Sequence, residues 1–353
     1  MKIFEKKLYF TILCITLSVG LIASIIASIS LGPITLDFKE VWKIIASKLF
    51  FKEIFQCTWK KTTESIVWNL RFPRTLLAII AGAGLSLCGI MMQALTKNPL
   101  ANPYILGISS GASTGAVMII IFGGSSIFGI QNVSIGAFIG ALLASLLVFI
   151  LSRQNGVFSS TRLVLTGVSI AALFSSITSF LIFTAQDYSK VHEALFWMTG
   201  SLGGAKWGNL LWPSAWLLIS YVFLIIFSRG LNSLLLGEGV AITLGVDTKF
   251  LKNMILCLGS ILTGFVVSIT GVIGFVGLIV PHICRTLVGA DHKRVSTLSL
   301  LLGPILLIWA DILARMIARP EEIPIGVITA LLGAPFFIWL IRKSSYSFGG
   351  KNG

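Results

Sequence analysis

Few side chains in this sequence are of a type that does chemistry, and their spacing narrows the choice further. The three histidines, His192, His282 and His292, sit at or near the edges of apolar runs, and Asp311 is the one acid well inside such a run. A hydrolase working within a membrane needs paired aspartates, a Ser/His pair or a metal-binding histidine cluster, and none can be assembled here. No catalytic residue and no metal ligand set is therefore expected. The five cysteines, Cys14, Cys57, Cys88, Cys257 and Cys284, are scattered without a Cys-x-x-Cys pair, so neither zinc nor a disulfide framework is indicated. The same scarcity of ionisable groups argues against ion coupling, which places charges near the membrane centre. Nor is there a Gly-x-x-x-x-Gly-Lys-Ser/Thr phosphate loop, so any uphill work draws its energy from another chain. Asp311 and Arg315, four apart, share a helix face. Two readings stay open: a local ion pair that makes a charge tolerable, or an arginine presented to a partner.

Three other stretches carry polar groups in a pattern. Arg71 and Arg74, with Pro73 between them, open an apolar run that ends at an elbow of Lys97, Asn98 and Pro99, and a glycine-spaced run follows from Gly107. The loop from Ser228 to Phe250 contains LLLGEGVAITLGVD, too short to span and too apolar to stand alone in water. A loop with that much apolar surface normally has something to cover it.

The elements that position these residues follow from composition. Hydrophobic residues make up 56% of the 353, charged residues 11%, and the mean hydropathy is +0.95, which excludes a soluble globular chain. The apolar runs are continuous and about 20 residues long, the length of a helix crossing roughly 30 Å of hydrocarbon. A β-barrel would show alternation over about ten residues instead. We read an all-α, polytopic membrane protein of about ten helices forming a single transmembrane domain over 1–353, with an extracytoplasmic loop at 31–69 and a cytoplasmic loop at 229–250. The first span runs from Leu8 to about Ile29; it exceeds a signal-peptide core of about 7–15 residues, so it is expected to be uncleaved. The remaining spans fall near 74–95, 103–123, 133–151, 163–185, 209–228, 252–270, 272–288, 297–316 and 325–342. Within 31–69, Asp37 and Glu40 stand in a capping-box-like spacing, and Phe38, Val41, Trp42, Ile45 and Leu49 follow the three-and-four spacing of one helix face. That amphipathic helix either lies on the membrane surface or packs as a lid on neighbouring spans.

Charge supports this topology. With both termini cytoplasmic, fifteen basic and four acidic residues fall inside and twelve basic and nine acidic outside, so the inside is +11 and the outside +3. The net charge of +14 therefore needs no nucleic-acid partner. Gly107, Gly111 and Gly115, and Gly136, Gly140 and Ala144, recur every four residues, a spacing that lets helix backbones approach closely.

Several runs together resemble a known family. They are Arg71-Phe-Pro-Arg74-Thr; Gly89 to Gly107 with Gln93 and Asn98-Pro99-Leu100-Ala101; Trp197-Met-Thr-Gly200-Ser; Gly237-Glu238-x-x-Ala241-x-x-Leu244-Gly245; Gly274-Phe-Val-Gly277-Leu-Ile-Val-Pro281-His282; and Pro324-Ile-Gly326 with Gly333-Ala-Pro335-Phe-Phe-Ile. In order from about Leu70 to Arg342, they resemble the permease subunits of ABC importers for ferric siderophores, haem and vitamin B12 (FecCD-type). The resemblance implies a homodimeric permease in the bacterial plasma membrane, with two cytoplasmic ATPases and one extracytoplasmic substrate-binding protein. It implies no enzyme activity and no cofactor in this chain, ATP and Mg belonging to the ATPase. By the same resemblance Arg71, Arg74 and Arg315 dock the binding protein, Gly237, Glu238, Ala241, Leu244 and Gly245 couple to the ATPase, and Asn98 and Leu100 form the cytoplasmic gate. The path would be lined by small neutral groups such as Ser109, Ser110, Ser113 and Thr114, and His282 would brace a helix end. A zinc or manganese permease is the alternative within transport, weakened by the lack of a His/Asp cluster; a membrane scaffold or intramembrane hydrolase stands further off.

Overall fold

A computed structural model describes residues 3–49, 59–122, 131–154, 157–158 and 160–343. Cys57, Lys2, Lys351 and residues 50–58 of the 31–69 loop lie outside the described residues. In chain order the helices are α1 (Ile3–Ser30), α2 (Phe38–Leu49), α3 (Lys61–Ser65), α4 (Phe72–Thr96), α5 (Ile108–Phe122), α6 (Gln131–Leu151), α7 (Ser160–Thr184), α8 (Tyr188–Met198), α9 (Leu211–Ile226), α10 (Ser228–Leu235), α11 (Glu238–Thr243), α12 (Thr248–Thr270), α13 (Val276–Val288), α14 (His292–Met316) and α15 (Ile325–Lys343). A π-helical segment, Ile66–Arg71, joins α3 to α4 without a break. Arg153–Gln154 and Val157–Phe158 form a small antiparallel pair between α6 and α7.

Each expected span is occupied by a helix. Continuous apolar runs become helices because only a helix pairs its own backbone groups where no water can. Helix starts outside the apolar layer carry their own caps: Asp247 accepts from Phe250 N at 2.9 Å and Asp187 from Ser189 N at 2.8 Å.

The axis of the bundle is α4, whose side chains are buried almost throughout, packed against α12, α13 and α14. The expected small-residue seam joins α5 to α6: a Cβ at Gly115 would overlap the Gly136 carbonyl, and one at Gly140 the Gly111 carbonyl. That close approach replaces the hydrophobic drive, which lipid does not supply between helices. Helix α2 packs as a lid, with Val41, Ile44 and Ile45 in one cluster with Ile29 and Val67. Phe38 and Leu49 of the expected face stay exposed instead.

Two spans depart from the expected form. The span at 103–123 is a 3₁₀ turn, Pro103–Leu106, followed by α5, and the span at 272–288 opens as non-helical chain before α13. At 15 and 13 residues, α5 and α13 are only about 20 Å long. Non-helical backbone at this depth must be satisfied by protein. Tyr104 does this for both groups of Ile273: its hydroxyl donates to Ile273 O at 2.7 Å and accepts from Ile273 N at 3.1 Å. The two breaks meet where Gly277 lies against the Leu85 carbonyl and Pro103.

Candidate functional site

Helix direction sorts the polar groups onto two ends of the bundle. The chain passes from Arg74 to Lys97 along α4, and from His292 to Arg315 along α14 in the opposite sense. Arg71, Arg74 and Arg315 therefore share one end, and the elbow and the 229–250 loop the other.

At the arginine end the C-terminus of α1 leaves orphan carbonyls, and two arginines take them up. Arg71 donates to the carbonyls of Ile29 (3.0 Å), Ser30 (2.9 Å) and Ile34, and Arg315 to those of Leu31 (3.0 Å) and Ser28 (3.4 Å). Arg74 bridges two acids, with Nη2 2.9 Å from Asp311 and Nη1 2.8 Å from Glu322. Asp311, its side chain 1% exposed, also holds Arg315 at 2.9 Å. Three cations thus share two carboxylates and the end of a helix, and the knot keeps a net charge of +1. Arg71 and Arg315 are buried, while Arg74 keeps 14% and Glu322 33% of the side chain exposed. Of the two readings of Asp311 and Arg315, the ion pair is observed.

The elbow at the other end is set locally. Lys97 takes the left-handed conformation that ends α4, with φ 53°, and the Asn98 side chain accepts from Leu100 N at 2.9 Å. Asn98 is exposed and Leu100 half-buried. Just before the elbow, Arg285 of α13 donates to the Gln93 side chain of α4. That contact was not foreseen, although both residues fall in or beside the quoted motifs.

Beside the elbow stands a helix-turn-helix made by α10 and α11. Its turns need positive φ at Gly237 (124°) and Gly245 (79°), a region in which side-chain-bearing residues are strained. Ala241 is buried against the bundle, while Leu236, Val240, Ile242 and Leu244 are exposed, Leu244 at 62%. Glu238 meets Lys252 Nζ at 2.6 Å and accepts from Thr248 at 3.3 Å. The Lys252 hydrogen bond holds the Glu238 carboxyl below its usual range, with a smaller contribution from Lys97 of the elbow. Asn232 anchors α10 to the start of α14, donating to Asp291 at 2.8 Å and accepting from His292 N at 3.0 Å. A polar residue between the buried Leu231 and Leu234 was the signal for that anchor.

Other sequence-derived positions are corrected by packing. Thr114 donates to the Phe174 carbonyl at 2.8 Å and contacts Thr178, so it belongs to the α5–α7 seam; Ser113 is buried too, and neither lines an open path. His282 lies inside α13, edge-on to Phe336 of α15, and the histidine at a helix start is His292. Helix α8 was missed because an eleven-residue, partly polar helix carries no span-length signal.

The FecCD transport family matches residues 20–343. The chain is 40% identical to the hemin transport system permease HmuU of Yersinia pestis over 295 residues, 82% of this chain and 88% of that one. It is 39% identical to the cobalamin import permease BtuC of Halobacterium salinarum, over 80% of this chain and 74% of the relative. BtuC of Salmonella paratyphi A is 37% identical, over 80% of this chain and 85% of its own length. Among solved structures, a metal-chelate type ABC transporter in an inward-facing conformation superposes with a TM-score of 0.80 at 31% identity, covering 94% of this chain and 99% of that one. PsaBC from Streptococcus pneumoniae shares the fold alone, at TM-score 0.51 and 20% identity over 75% of this chain and 88% of that one.

Proposed function

From the premise that this chain belongs to the FecCD transport family and is an ABC importer permease, not itself an enzyme, we propose that it carries haem, another iron chelate or a corrinoid inward. The named relatives support that range of cargo. Two copies of the chain form the path, two ATPases sit under the 229–250 loops, and a substrate-binding protein docks at the arginine end. In this reading the arginine end faces outward and both termini are cytoplasmic, which accords with the excess of basic residues on the other side.

The observation that carries the proposal is the uncovered apolar surface of α10–α11. Leu236, Val240, Ile242 and Leu244 project from a rigid turn whose other face is tied to α12 and α14. A cleft in an ATPase that encloses these side chains moves the turn as it closes. Helix α10 packs on α4, which ends at the elbow, so in this reading the motion reaches Asn98 and Leu100 and opens or seals the inner mouth. At the other end, an acidic group on the binding protein approaches the net positive knot through Arg74, in competition with Glu322. Charged contacts of this kind govern orientation and association rate more than affinity.

The test is reconstitution with the cognate ATPase and binding protein. ATP hydrolysis stimulated by the loaded binding protein, with uptake of haem or cobalamin into vesicles, is the expected result. Hydrolysis indifferent to the binding protein would overturn the importer assignment for this chain. Uptake of free metal ions in place of a chelate would overturn the cargo class.

A further inference from the structure

A cavity of about 640 Å³ lies at the arginine end beneath the loop that joins α8 to α9. The loop places it there: a Cβ at Gly203 would stand 4.0 Å from the Arg74 guanidinium, and Trp207 Nε1 donates to the Trp68 carbonyl at 3.0 Å. The transport cycle described above makes no use of it, although part of the Trp197-Met-Thr-Gly-Ser motif forms one wall.

The lining has two chemistries. Phe138, Phe196, Trp197, Trp212 and Phe265 supply aromatic faces, with Phe138 and Phe265 stacked at 4.3 Å. Glu193 and Lys206 supply one charge of each sign, both exposed, and among the described residues neither takes part in an ion pair. An aromatic wall with a carboxylate suits an ammonium group, and a lysine beside it suits a phosphate. A ligand carrying both is a zwitterion.

Depth selects among zwitterions. The part of α12 that lines the cavity runs from Phe265 to its last residue, Thr270, about 7.5 Å of rise. A headgroup layer is the difference between about 30 Å of hydrocarbon and 40–45 Å of whole bilayer, roughly 5–8 Å on each side. The cavity thus lies along the last turn and a half of a span, the end at which headgroups are met and where tryptophans such as Trp197 and Trp212 concentrate in membrane proteins.

We propose that this cavity binds the zwitterionic headgroup of a phospholipid from the leaflet at the arginine end. Glu193 and the aromatic wall receive the ammonium, Lys206 the phosphate, and the acyl chains leave between α6 and α9. The bound lipid fills the space behind α8 and buttresses the loop that passes near Arg74.

Native mass spectrometry of the delipidated full-length chain tests this by titration with phosphatidylethanolamine, phosphatidylcholine and phosphatidylglycerol of equal chain length. The two zwitterionic lipids are expected to form the first adduct on the order of fivefold more readily than phosphatidylglycerol. Glu193→Gln with Lys206→Gln should erase that preference while leaving the melting temperature unchanged, since both side chains are exposed. Ser134→Trp, which fills the cavity from α6, should abolish the same adduct. Equal binding of phosphatidylglycerol, or a preference that survives either variant, overturns the proposal. The importer function is untouched by that outcome, because ATPase coupling is read in a separate assay.

Discussion

The two ends of this bundle solve opposite problems. At the arginine end, five ionised groups are drawn into one another and into the end of α1, so that almost no charge reaches the surface unpaired. At the α10–α11 end, four large apolar side chains are left in the open on a turn that is otherwise firmly anchored. The first end is stable as it stands and offers a partner a weak residual field; the second is incomplete until something covers it. Partners at the two ends should accordingly differ in kind, one steered by charge and able to leave, the other held by apolar contact.

The contrast breaks most sharply at Asp311. Asp311→Ala leaves Arg315 a buried cation without a carboxylate and takes from Arg74 one of its two acids, and removal of one partner from a buried pair costs about 3–5 kcal/mol. Thermal unfolding of the purified chain should drop steeply; an unchanged melting temperature would mean the knot is not the internal bond described here. Next in size is Leu244→Asp. Because Leu244 is exposed, the chain should fold as before, yet loss of a central apolar anchor is worth about 2–4 kcal/mol at an interface, so ATPase association measured by co-purification should fall by roughly two orders of magnitude. Retained complex and uptake would sink the coupling role.

Smaller effects sharpen the outer end. Arg71→Glu with Arg74→Glu should weaken docking of the binding protein, and unchanged affinity at low salt would remove that role. The double variant also uncaps α1, so Glu322→Gln is the cleaner probe. It frees Arg74 of its exposed competitor and should tighten binding by about fivefold, roughly 1 kcal/mol, with the gain lost at high salt. Weaker binding would show that Glu322 itself meets the partner.

The smallest effect is a pH dependence at Glu238. Its carboxyl is held below the usual carboxylate range by Lys252, so the stabilisation is present above the unfolded value and is lost as pH falls through the lower folded one. The melting temperature of Glu238→Gln should lie slightly below that of the parent at pH 7, by an amount worth about 0.5 kcal/mol for a carboxylate so exposed to solvent, and the two should converge in acid. A gap that persists unchanged in acid would place the effect of Glu238 elsewhere than in its charge.

Much of this was legible in the residues alone. Apolar run length located ten apolar helices among the described residues, seven of them long enough to cross a membrane, and small residues at a four-residue spacing located the α5–α6 seam, because both are properties of consecutive residues under a fixed solvent. The motif from Gly237 to Gly245 could be placed in a loop for the same reason. What the residues in order did not reveal is which polar group answers which. Tyr104 serves Ile273 across 169 positions, and Arg74 reaches Asp311 across 237. Thr114 looked like a path-lining hydroxyl until packing against α7 spent it on the Phe174 carbonyl.

Run lengths and charge counts are local sums, and by themselves they determined a helical membrane protein with basic residues gathered on one side. The broken spans, the knot that binds three arginines to two acids, and the face that α10–α11 leaves bare were decided only by the tertiary structure. The reason is physical: in a medium without water, each buried donor and charge must find its partner wherever the fold brings one, and that pairing has no period along the chain.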